Sequence, residues 1–211
     1  MGINERKERE RQEMRSLILK KAMHLFLEEG FHPVSIRRIA EAIEYSPGTI
    51  YLYFQDKDEI LFALHNMAFE ELFKRQQTVS TIKNPLERLK KQGRVYVRFA
   101  KEHPQYYDLM FIMRGPVRKL KGPEEWDMGK RAYEFLRTNV EDCIDAGYFS
   151  GYSSNVVAFA MWASVHGIAS LFVRERCMCP EDQLDALIDS TLKLYGFMME
   201  STKSEEVFVK N

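Results

Sequence analysis

Between Ser35 and Lys57 the chain gathers hydroxyls, aromatics, an arginine and a terminal lysine: Ser35, Arg37, Ser46, Thr49, Tyr51, Tyr53 and Lys57. Hydroxyls, an ammonium and the free N–H groups at helix starts all donate to phosphate oxygens, and a guanidinium can form the bidentate pair that matches O6 and N7 of guanine. Bond-breaking chemistry has no comparable constellation. There is no G-x-S-x-G, no H-E-x-x-H and no acid pair whose helical spacing would set it inside a core, so neither catalysis nor a cofactor is expected. Cys177-Met178-Cys179 has one intervening residue where a metal or redox pair usually has two, and no histidine lies near it in sequence. With Cys143 these make three cysteines, too few for a disulfide framework in a chain of this length, and they read as reduced thiols with no metal.

The elements that would position the hydroxyls are two short helices. Ser35 is a good N-cap, and Ile36, Ile39, Ala40 and Ile43 repeat at the three-and-four spacing of one apolar helical face, which predicts a helix from Ser35 to about Ile43. Ser46 is a second N-cap, and Pro47 suits the first helical position, because its φ is already helical and its missing N–H would have been unpaired there. Two helices joined this tightly must cross at a large angle, the geometry of a helix-turn-helix. The second would be the helix offered to a major groove. Ile50 and Phe54 share a face four residues apart and are expected in the core beneath it.

The pattern Gly30-Phe31, Ser35, Ile39-Ala40, Ser46, Gly48-Thr49, Tyr51, Tyr53-Phe54 and Lys57-Asp58-Glu59 resembles the DNA-binding domain of the TetR family of transcriptional regulators, over roughly the first 65 residues. The resemblance implies that Ser35, Tyr51, Tyr53 and Lys57 hold the DNA backbone, and that Arg37, Pro47, Gly48, Thr49 and Leu52 approach base edges; Ser46 belongs with them as the cap. It also implies a DNA-binding domain over residues 1–57, with a ligand-binding and dimerisation domain over 58–211. The expected partners are a palindromic double-stranded DNA operator, a second copy of the chain and a small hydrophobic effector whose binding releases a repressor. One departure stands in the turn. Glu44 occupies a place where family members usually carry glycine, and a left-handed backbone at a non-glycine residue costs on the order of 1 kcal/mol.

The flanking sequence supplies the scaffold. Residues 3–15 are almost continuously charged with both signs, and Glu5/Arg9, Arg6/Glu10 and Arg9/Glu13 stand four apart, as in a solvated helix held by its own ion pairs. From Ile18 the stripe Ile18, Ala22, Leu25 and Phe26 turns inward, and Gly30 is expected to stop the helix through a left-handed C′ residue. Asp56 should cap a long helix, Asn84-Pro85 should open another, and His103-Pro104 should interrupt it before a short aromatic helix. Gly115-Pro116 and Gly122-Pro123 bracket a basic surface loop, and a further helix runs from about Glu124 to Asp145.

Ser153 or Ser154 should cap a helix apolar nearly all round, which must be buried on several sides; its small residues and His166 fit a packed core better than a membrane. With the last helix it should pair with its copy in a four-helix interface. Helix bundles form apolar cavities between their helices, and Tyr96, Phe99, Tyr107, Met110, Phe111, Trp126, Tyr133, Phe159, Trp162 and His166 are the expected walls of the effector cavity.

The fold class is all α, since no strand pattern, repeat or phosphate loop appears. The 45% hydrophobic and 29% charged residues describe an ordinary globular chain, and the 31 basic and 31 acidic residues leave no net charge for tight non-specific DNA binding. A charged N-terminus is no secretion signal, so the protein is expected in the cytoplasm and not in a membrane.

Overall fold

The computed structural model describes residues 2–113 and 127–203, apart from the side chains of Ile3 and Glu181. All regular structure among the described residues is helical. The chain forms two compact units, Met1–Ala68 with Gln105–Glu125, and Phe69–Pro104 with Trp126–Asn211, so one boundary falls in the middle of a helix and another just after Pro104.

The first unit holds α1 (Ile3–Glu29), α2 (Ile36–Ala42), α3 (Pro47–Tyr51), the first half of α4 (Lys57–Gln77) and most of α6 (Pro104–Phe111). The charged run is the exposed first half of α1, laced by Arg6–Glu10 at 2.8 Å and Arg9–Glu13 at 3.7 Å. Its second half buries Ile18, Ala22, Leu25 and Phe26 against Ile39, Ala40, Ile50, Phe54, Ile60, Leu64 and Leu109. Each large side chain so buried contributes about 1.5–3 kcal/mol, which is why so small a unit can hold α2 and α3 at a defined angle. Gly30 ends α1 at φ 82°, ψ 165°. Its φ is positive as expected, but the extended ψ puts it in a region open almost only to glycine, not in the left-handed helical well. Asp56 caps α4, its Oδ1 accepting the Glu59 N–H at 2.8 Å.

In the second unit α5 (Pro85–Glu102), α7 (Asp127–Asp145) and α8 (Ser154–Val173) pack on one another, and α9 (Leu184–Glu200), entered through a 3-10 turn at Glu181–Gln183, packs on α5. Asn84 caps α5 by accepting from the Leu86 and Glu87 N–H groups at 3.0 and 3.1 Å, and Ser153 caps α8 through Val156 at 3.4 Å. His103, at φ −135° and ψ 59°, breaks the chain before Pro104 as the residue before a proline should. The core gathers Leu86, Leu89, Val140, Cys143, Phe149, Val157, Ala158 and Met199.

The apolar helix α8 departs from its expected burial. Only Val157, Ala158 and Ala169 are buried, while Phe159 is 61% and Val156 56% exposed. Among the described residues, α5 and α7 pack on one flank of α8 and leave much of the rest exposed. By length and composition α8 could cross a membrane, with a mean hydropathy of 1.9 over its most apolar window. Trp126 and the basic loop between Gly115 and Pro123 lie outside the described residues.

Candidate nucleic-acid interface

Local hydrogen bonds fix α2 and α3. Ser35 Oγ accepts the Arg38 N–H at 3.1 Å; Ser46 Oγ accepts the Thr49 N–H at 3.3 Å and lies 3.2 Å from Thr49 Oγ1. The turn between them is closed by Tyr45 N–H to Ala40 O at 3.0 Å and Glu44 N–H to Glu41 O at 3.2 Å, the paired bonds of a Schellman motif around a C′ residue. That C′ residue is Glu44, at φ 61°. The strain expected from the sequence is therefore present, and two backbone bonds offset it.

Above the buried Ile50 and Phe54, the N-terminus of α3 and its outer face are open. Ser46, Pro47 and Gly48 are exposed, Thr49 half-exposed, Tyr51 57% and Leu52 75% exposed. Ser35 is exposed at the start of α2. Arg37 extends into solvent, its Nε 3.0 Å from Glu41 Oε1. Such a surface offers hydroxyl protons, free helix N–H groups and one long guanidinium from a rigid base.

Tyr53 and Lys57 are more engaged. Arg15 of α1 donates to Tyr53 O at 3.2 Å and lies over the Phe54 ring at 4.3 Å, locking the end of α3. Lys57 donates to Phe31 O and, at 3.2 Å, to His32 O, and burial holds its ammonium pKa below the ordinary lysine value. Sequence reasoning passed over Arg15, because nothing distinguishes it from the other charges of its run. It also passed over Arg38, which Glu29 holds at 2.6 Å and whose pKa the Glu29 carboxylate raises.

The expected effector residues divide. Tyr107 and Met110 are buried in the first unit, and Phe111 lies 5.3 Å from the Tyr107 ring. The second unit brings together a chain of rings across three helices: Tyr133 of α7 meets Trp162 of α8 at 6.1 Å, Trp162 meets Phe159 at 6.3 Å and His166 at 5.8 Å, and Tyr96 of α5 places its hydroxyl 2.9 Å from His166 Nδ1. Phe99 is buried beside His103, one turn of α5 beyond. Burial lowers the His166 pKa, which keeps the ring neutral at physiological pH. No cluster of three metal-binding side chains occurs among the described residues. The Cys143 thiol, pushed up to about 12 by burial, is a core residue and no nucleophile.

The geometry now meets its relatives. Residues 18–64 match the family profile described as bacterial regulatory proteins, tetR family, and residues 89–195 match the tetracyclin repressor-like C-terminal domain. Over 81 residues the chain is 40% identical to the HTH-type transcriptional regulator HbdR of Aromatoleum sp. (strain CIB), a match of 37% of this chain and 34% of that protein. It thus aligns with about a third of that relative's length. A protein of unknown function from Rhodococcus sp. RHA1 superposes with TM-score 0.75 at 19% identity, over 90% of this chain and 95% of that one. AibR, solved with isovaleryl coenzyme A and operator DNA, superposes with TM-score 0.62 at 20% identity over 85% and 96%. These two share the fold. The helix-turn-helix with its capping serines, and a C-terminal match spanning most of the second unit, lead to one conclusion: the chain belongs to the TetR family of bacterial regulatory proteins.

Proposed function

We propose that the protein is a DNA-binding transcriptional regulator, not an enzyme, which represses from a palindromic operator as a homodimer in the cytoplasm and is released by a small hydrophobic effector. The observation that carries this reading is the open N-terminus and outer face of α3 on a fully packed base, with Tyr51, Leu52 and Arg37 projecting. In this reading residues 1–57 make the DNA contacts, with Ser35, Tyr51, Tyr53 and Lys57 at the backbone, Arg37, Pro47, Gly48, Thr49 and Leu52 toward base edges, and Ser46 among them as the cap of α3. One α3 offers too few contacts for selective binding, whereas two related by a two-fold axis read half-sites about 34 Å or a multiple apart.

Residues 58–211 carry the effector site and the dimer. The uncovered apolar faces of α8 and α9 supply the surface for a second copy, isologous by symmetry. The ring chain Tyr96, Tyr133, Phe159, Trp162 and His166, with Phe99, lines the effector site. An effector that binds better when the recognition helices are wrongly spaced lowers operator affinity by the same factor, typically 1–3 kcal/mol.

Footprinting across a genomic library tests the reading. The expected result is an enriched motif with dyad symmetry, protected over two half-sites. Enrichment without symmetry would remove the dimeric operator, and no enrichment would remove the regulator.

A further inference from the structure

Gln92 and Tyr96 stand four residues apart and share one face of α5. Gln92 is 2% exposed, and its Oε1 accepts from Asn139 Nδ2 of α7 at 2.6 Å. Asn139 Oδ1 in turn accepts from Arg88 Nε at 2.8 Å, and Arg88 also bonds the Asp142 carboxylate. A guanidinium can only donate, so this relay sets both amides: the Asn139 oxygen faces Arg88, its nitrogen faces the Gln92 oxygen, and Gln92 is left with its nitrogen outward from the pair. That Nε2 is buried and has no acceptor among the described residues. Buried polar groups in native proteins are nearly always paired, so a donor left over at the end of an ordered relay is placed to pair with a bound molecule.

One turn along α5, about 6 Å, the Tyr96 hydroxyl meets His166, and the Trp162 and Tyr133 rings follow. Next to Gln92, a Cβ on Gly93 would lie 3.3 Å from Val165, so α5 and α8 approach closely here. The one cation of the relay, Arg88, is neutralised by Asp142.

We propose that Gln92 Nε2 is the donor that reads the polar end of the effector, and that the effector is an uncharged carbonyl compound whose apolar body lies along Trp162 and Tyr133. The inference rests on the effector-binding reading above and adds the ligand's chemical class. An amide N–H selects an acceptor. A hydrocarbon would leave it unpaired, an ammonium would meet donor with donor, and a carboxylate would arrive without a free counter-cation. A ketone, ester, thioester or amide carbonyl accepts the bond and brings no charge to be desolvated. Sites built around a buried donor discriminate strongly against analogues that lack the matching group.

The test uses 4-phenylbutan-2-one, 4-phenylbutanoate and butylbenzene, which share an apolar body and differ at the polar end. Binding to the full chain is followed by tryptophan fluorescence and thermal shift at neutral pH. The ketone is expected to bind about tenfold more tightly than either other probe. Gln92→Met should abolish its advantage over butylbenzene while butylbenzene still binds. Gln92→Glu keeps the oxygen that holds Asn139 and removes the donor, so the same loss is expected there even if Gln92→Met fails to fold. Equal binding of ketone and butylbenzene, tighter binding of the carboxylate, no binding by any probe, or an undiminished ketone advantage in Gln92→Glu would each overturn the assignment. Operator binding by the same wild-type preparation reports on the regulatory reading alone, so failure of one is not mistaken for failure of the other.

Discussion

α3 and α9 both leave large side chains in solvent, yet their hydroxyls are used in opposite ways. Around α3, Tyr51 and Leu52 stand beside Ser35 and Ser46, whose oxygens accept backbone N–H bonds. A capping hydroxyl accepts and so keeps its proton to give. On α9, Leu187, Leu194, Phe197 and Met198 are exposed, and the intervening Thr191 donates its proton to Leu187 O at 2.8 Å. Ser164 of α8 does the same toward Ala160 O at 2.9 Å. A hydroxyl that donates to its own helix has no proton left to offer, so the surface is apolar in effect even where its residues are polar by type. The first surface therefore suits a polyanion and the second suits another apolar face.

The hardest blow to that contrast is to charge the apolar surface. Leu194→Lys together with Phe197→Lys should give monomers in sedimentation velocity, and operator affinity should fall by at least about a hundredfold, because the second half-site is no longer held at high effective concentration. A variant that stays dimeric would place the interface elsewhere.

Arg37→Ala probes the other surface. It should relax preference at one base position per half-site by about 1–3 kcal/mol in competition mobility shifts. Equal losses on every sequence would leave Arg37 as one more phosphate contact.

Lys57→Met sharpens the comparison, since the ammonium already holds two carbonyls of the α1–α2 connection. Thermal unfolding should show a loss of about 1 kcal/mol, and binding should weaken alike on all sequences. An unchanged midpoint would mean that these bonds add nothing to stability.

The smallest effect concerns pH. The folded-state pKa of His166 lies below its unfolded value of about 6.5, so the unfolded chain binds more protons in the interval between them. Stability should be fully present above that value and decline as pH falls through the folded pKa. His166→Gln should flatten this part of the profile; an unaltered slope would assign it to other groups.

Much of the local structure in both units was legible in the sequence because it follows local rules. Ser35, Ser46, Asp56, Asn84 and Ser153 act as caps where their spacing to the next apolar stripe said they should. Glu44 adopts the positive φ that its place in the turn required. Such features depend on a handful of neighbouring residues, and a sequence displays those neighbours directly. Arg15 over Phe54, Lys57 on the Phe31 and His32 carbonyls, and the Gln92–Asn139–Arg88 relay join residues 25 to 51 positions apart. Only the packed arrangement brings them within bonding distance. The apolar run of α8 shows the same limit from the other side. Its composition determined that it must leave water, but what covers it is a matter of three-dimensional neighbours, and among the described residues α5 and α7 cover only one flank. The sequence by itself therefore determined where helices start, stop and strain; the tertiary structure decided which polar groups are spent and which are left to bind.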